Sequence, residues 1–181
     1  MADFSQFLPI LLRNEGGWVD NPSDPGGATN KGITMRTFRE YAPKLLEVTP
    51  TLGNLKALTD EQAGKIYKSC YWDVIFGDEV LFQPLANILC DFYVNAGVHA
   101  TEIFIKTLNA LGSNHHPEDR LSRRVMESLN YHDIGQVYME YKAARISYYR
   151  SLVHEHPVLR VFLRGWINRV NSFPDVDLSK R

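Results

Sequence analysis

Glu15 is the residue whose type and position best suit acid chemistry. It follows Leu11 by four positions and Leu8 by seven, so it extends the apolar stripe of an amphipathic helix rather than its wet face. Desolvation at such a place disfavours the charged carboxylate. Trp18, close in sequence, could supply an apolar wall. A carboxylic acid kept protonated near neutrality can give its proton to the oxygen leaving a glycosidic bond. The plainer reading of the same pattern is a helix-end glutamate that reaches back to water.

A second carboxylate, Asp24, stands nine positions further on, and Thr29 follows five later. Asp24 could orient water or stabilise an oxocarbenium-like transition state. Standing before Pro25 and Gly26, it is equally a turn former. Carboxyl separation decides between retention and inversion, and no distance is legible in a sequence, so the stereochemical outcome stays open. The flat ring of Trp18 suits the apolar face of a pyranose, or a place in the core.

Other residues carry weaker signals. Asp91 and Asn95 are one helical turn apart and could line a sugar cleft, or bond neighbouring backbone. Tyr93 belongs with Tyr67, Tyr71, Tyr138 and Tyr148, which read as core aromatics with a polar tip, one or two of them edging a cleft. His115-His116 and His154-Glu155-His156 lack a third ligand at helical spacing and read as surface histidines. Cys70 and Cys90 fall on apolar stretches without zinc or disulfide-framework spacing and read as small buried hydrophobes. No metal and no organic cofactor is expected. Arg120, Arg123 and Arg124, and separately Arg160 and Arg164, could attract carboxylates or simply solvate helix faces.

The elements that must hold these groups are mostly helical. Phe4, Phe7, Leu8, Leu11 and Leu12 give the first helix, with Asp3 at its start and Gly16-Gly17 at its end. From Trp18 to Thr34 come turn punctuators, Asn21-Pro22, Asp24-Pro25 and Gly26-Gly27, so the spacing predicts an irregular glycine-rich loop or short hairpin. Thr34 starts a short helix ending near Pro43, and Thr59 with Gln62 forms a capping box for the next. Further helices follow Pro84, precede Gly112, begin at Pro117, and run through Ile134–Leu152 and Leu159–Val170. The predicted fold class is mainly α, a helical bundle in a single globule of 181 residues.

Net charge is −1, which gives no overall field toward nucleic acid or anionic membrane. No stretch approaches the roughly 20 apolar residues of a membrane span. The N-terminus lacks a basic segment followed by an apolar run, so synthesis in the cytoplasm without a cleavable signal peptide is expected. A monomer is expected too.

The run Glu15-Gly16-Gly17-Trp18 through Asp24-Pro25-Gly26-Gly27-Ala28-Thr29 to Gly32-Ile33-Thr34 resembles the signature of glycoside hydrolase family 108. That family carries E-G-G-Y followed by a D-P-x-D-x-G-G-x-T-x-x-G-I-T loop, and includes phage endolysins and secretion activators. Tyr71-Trp72-Asp73, Gly77-Asp78, Asp91-Phe92 and Val94-Asn95-Ala96-Gly97 look like its C-terminal region, and Phe162–Val170 is similar to its closing helix. The resemblance implies a lysozyme-like fold, with residues 1–78 catalytic and 79–178 a predicted peptidoglycan-binding region. It implies an N-acetylmuramidase that cuts the β-1,4 bond between N-acetylmuramic acid and N-acetylglucosamine in peptidoglycan strands, with Glu15 as general acid. Trp18, Thr34, Asp91, Tyr93 and Asn95 would contact the strand. The Glu15–Asp24 separation is also that of phage-type lysozymes, although there a threonine follows six residues later rather than five. Trp18 departs from the usual tyrosine, keeping a ring and losing a hydroxyl. Release to the wall would be by a holin or another route. A lytic transglycosylase, or a non-catalytic wall-binding or secretion-regulating protein, would use the same fold.

Overall fold

The structure is a computed structural model that describes residues 1–20, 27–116 and 120–177, so Asp24 and Pro117 lie outside the described residues. The chain is mainly α, and it forms two units, Asp3–Val74 and a second made of Met1–Ala2 with Ile75–Arg181.

In the unit Asp3–Val74, α1 (Phe4–Glu15) begins where the Asp3 carboxylate accepts from Ser5 N at 2.8 Å. It stops at Gly16, whose φ of 73° a Cβ would make costly. Phe4, Phe7 and Leu11 are buried, and they anchor the helix on Trp72: Phe7 stacks on the indole at 5.8 Å and Phe4 meets it edge-on at 5.4 Å. On the neighbouring helix α4 (Asp60–Tyr67), a Cβ at Gly64 would lie 2.6 Å from Leu8 Cδ2, so the glycine lets α1 approach. The capping box expected at Thr59 and Gln62 is present. Instead of continuing as one α-helix through Tyr71, the chain widens into a π turn at Lys68–Trp72, which seats Trp72 with no exposed surface.

The glycine-rich segment ends in a hairpin, β1 (Thr29–Asn30) paired antiparallel with β2 (Ile33–Thr34). Lys31 and Gly32 form its two-residue loop with φ of 50° and 75°, the positive pair of a type I′ turn. Thr34 then caps α2 (Met35–Leu45), accepting from Thr37 N at 3.2 Å; this helix ends near Pro43, at Leu45. A short α3 (Leu52–Lys56), which no periodicity announces, offers carbonyls to the hairpin: the Asn30 amide donates to Leu55 O at 2.9 Å and Lys56 O at 3.0 Å.

In the other unit, α5 (Gln83–Ala96), α6 (Val98–Ala110) and α8 (Ile134–Glu155) form the core, with α5 and α6 separated at Gly97. Leu85, Ile88, Leu89, Cys90 and Phe92 of α5 are fully buried. The C-terminal strap is tied to α8 by Tyr138 donating to Pro174 O and Lys142 donating to Phe173 O, both at 2.6 Å. One expectation is corrected here. The helix expected from Pro117 is α7 (Arg123–Glu127), which starts only after Ser122 and passes at once into a 3-10 turn, Ser128–Tyr131. The Ser128 hydroxyl donates to Val125 O at 2.6 Å, a local bond that competes with helix propagation. The last helix, α9 (Arg160–Asn171), buries only Val170 of its apolar stripe and leaves Phe162 54% exposed. Its Trp166 ring stacks on Tyr149 of α8 at 5.0 Å, so one side is covered and the stripe's rim is not.

Candidate active site

Glu15 is the last residue of α1 and is half-buried. The Gly16 turn sends the chain to Trp18 and Val19, and Val19 bridges Thr29 through paired backbone bonds of 2.8 and 2.7 Å. Thr29 in turn faces Thr34 across the hairpin. Val19 and Thr29 of the signature run are therefore stitched together.

The closest packing in the site is at Gly32. A Cβ there would lie 2.8 Å from Glu15 Oε2, 3.0 Å from Glu15 Cβ and closer still to the Tyr67 hydroxyl. The glycine is thus required twice, by its positive φ and by the two side chains pressed against it. Gly32→Ala is expected to cost about 1–3 kcal/mol through overpacking and backbone strain, measurable as a fall in urea midpoint against the native chain.

Two further contacts fix the turn that holds Glu15 Oε2. The Tyr67 hydroxyl donates to Lys31 O at 2.9 Å from a ring only 2% exposed. Lys31 Nζ pairs with Asp60 at the start of α4 at 2.5 Å. This explains how a non-glycine residue holds φ of 50°. Next to them Leu8, Pro9, Leu12, Arg13, Gly16, Lys31 and Asp60 surround an open cavity of about 420 Å³.

Of the residues singled out in the sequence, Glu15, Trp18, Thr29 and Thr34 lie in this unit. Trp18 is half-buried, with Lys56 Nζ 5.6 Å from its ring centre. The Thr34 hydroxyl is engaged at the start of α2, accepting from Thr37 N and sitting 3.1 Å from Thr37 Oγ1. Asp24 is outside the described residues.

Asp91, Tyr93 and Asn95 belong to the other unit, on α5. Asp91 has no exposed surface. Its carboxylate accepts from Arg145 Nη2 at 2.7 Å and from Arg169 Nη2 and Nε at 2.8 and 3.1 Å, which ties α5 to α8 and α9. The Asn95 amide donates back to Asp91 O at 2.6 Å. Tyr93 is half-buried. Of the histidines, His115 and His132 are hydrogen-bonded to Ser128 and Ser113. Cys90 is wholly buried, and burial raises the pKa of the half-buried Cys70 thiol.

Tyr67 and Gly32 are the residues that pattern alone did not single out as site-forming. Tyr67 reads as one more member of the buried face of α4, beside Ala63 and Ile66, and only its hydroxyl's reach to the hairpin distinguishes it.

No curated protein matches the chain. Among solved structures it is similar to SagA of Brucella abortus, with 25% sequence identity, 97% of each chain covered and a TM-score of 0.63. The glycosyl hydrolase 108 family matches residues 8–97, a stretch that includes Glu15, the hairpin and Tyr67. On that match residues 8–97 belong to the glycosyl hydrolase 108 family.

Proposed function

We propose that this protein is a muramidase, hydrolysing the β-1,4 bond between N-acetylmuramic acid and N-acetylglucosamine in peptidoglycan, with Glu15 as the general acid. The observation that carries the reading is the seat of the Glu15 carboxyl: a half-buried group at a helix end, wedged against a two-residue turn that the family signature encodes. A turn built around a carboxyl fixes its direction, and a proton donor must be directed at the leaving oxygen. Asp24 takes the part of the second carboxylate, with Thr29 five positions further along the sequence, and Trp18 offers a ring for a sugar to stack on. Asp91 in this reading is framework, its carboxylate accepting from two arginines, and Tyr93 and Asn95 are taken as contacts for a glycan strand. Action on the wall follows release from the cytoplasm.

The test is digestion of purified sacculi followed by mass spectrometry of the soluble products. Reducing N-acetylmuramic acid ends support the proposal. A 1,6-anhydro end would show a lytic transglycosylase instead. Retention of the protein on sacculi with no soluble product would show a wall-binding protein that does not cut.

A further inference from the structure

Tyr67 and Glu15 converge on Gly32. The hydroxyl of Tyr67 and Oε2 of Glu15 both lie within 2.8 Å of the place where Gly32 would carry a Cβ. That hydroxyl has a single hydrogen, and in the structure it is directed at Lys31 O, 2.9 Å away. The nearest cation on the turn, the Lys31 ammonium, is drawn off to Asp60. The tyrosine hydroxyl is thus a donor that shares the Gly32 turn with Oε2.

We propose that Tyr67 is a positioning residue for Glu15, whose O–H turns from the Lys31 carbonyl to Glu15 Oε2 as the carboxyl loses its proton. The step rests on Glu15 being the acid. In it the Glu15 proton passes to the glycosidic oxygen, which takes the electron pair of the breaking C–O bond and leaves as an alcohol; water then bonds to the anomeric carbon, the O–H pair stays with Glu15, and Tyr67 keeps its own hydrogen. Before the transfer, Oε2 and the Lys31 carbonyl are both neutral acceptors and neither is much preferred. As negative charge grows on Oε2, a hydrogen bond to it becomes stronger than one to a neutral carbonyl. Rotation of a phenolic hydrogen moves no heavy atom, so the donor responds without reorganising the site. The missing side chain at position 32 leaves the two oxygens room to meet.

Tyr67→Phe removes the donor and keeps the ring. On soluble glycan strands its kcat is expected to fall about 10- to 100-fold with KM within about twofold of native, since the lost bond forms only as the proton leaves. Glu15→Gln measured in parallel separates the two readings: if that variant cuts normally, the acid assignment itself fails. If Glu15→Gln is inactive and folded Tyr67→Phe retains native kcat, the inference about Tyr67 is overturned on its own. Should Tyr67→Phe not fold, 3-fluorotyrosine placed at position 67 and assayed below neutral pH decides. Fluorine makes the hydroxyl a better donor and a poorer acceptor, so kcat at or above native supports the proposal and a fall overturns it.

Discussion

Glu15→Gln lowers the rate of sacculus hydrolysis by about 10²- to 10⁴-fold, the range general acid catalysis supplies, and leaves the melting temperature at or slightly above native. The two halves of this expectation have separate causes. Glutamine has the size of glutamate, so the wedge against Gly32 and Tyr67 is preserved while the transferable proton is lost. Stability does not suffer because glutamine keeps the packing and places no negative charge at the end of α1. Whenever Glu15 is ionised it faces the negative pole of the α1 dipole, a repulsion of about 0.3–1 kcal/mol that glutamine does not have. Activity that drops together with the melting temperature would point to a structural glutamate instead. Undiminished turbidity loss by the variant would remove Glu15 from the mechanism altogether.

Asp91→Asn is expected to lower the stability of the unit that holds α5, α8 and α9 by about 3–5 kcal/mol, the cost of breaking a buried ion pair by removing one partner. Asp91 and Arg145 have no exposed surface, and Arg169 has little. Two guanidiniums converge on one carboxylate, so the amide leaves both cations without their counter-charge. Arg145 is the more dependent of the two. Its Nε and Nη1 make no hydrogen bond, and its guanidinium carbon lies 4.8 Å from the Phe92 ring centre, 5.7 Å from that of Tyr149 and 5.9 Å from that of Phe173. Ring faces offset part of the desolvation of such a cation, and the Asp91 carboxylate must supply the rest. Urea unfolding followed by far-ultraviolet circular dichroism reads the effect as a lower midpoint. A midpoint within experimental error of native would show that the triad adds nothing net, as some buried ion pairs do. A variant that is stable but has lost wall binding would restore Asp91 as a contact residue.

What the sequence determined by itself is what short-range physics writes. The ends of α1 are legible because Asp3 satisfies an orphan amide two residues away and Gly16 alone tolerates the φ that follows. The capping box at Thr59 and Gln62, the apolar period of α5 and α8, and the glycines and prolines of the loop are equally local, and so was the position of Glu15 on the buried side of its helix. What the tertiary structure decided involves partners far apart along the chain. Tyr67 meets the Lys31 carbonyl across 36 positions, and Asp91 meets Arg145 across 54 and Arg169 across 78. No periodicity encodes such a meeting, so an aspartate on an apolar face reads the same whether a sugar or two arginines will take it. The π turn at Lys68–Trp72 and the exposed rim of α9 belong to the same class, because each depends on which neighbour covers the helix rather than on the helix's own residues.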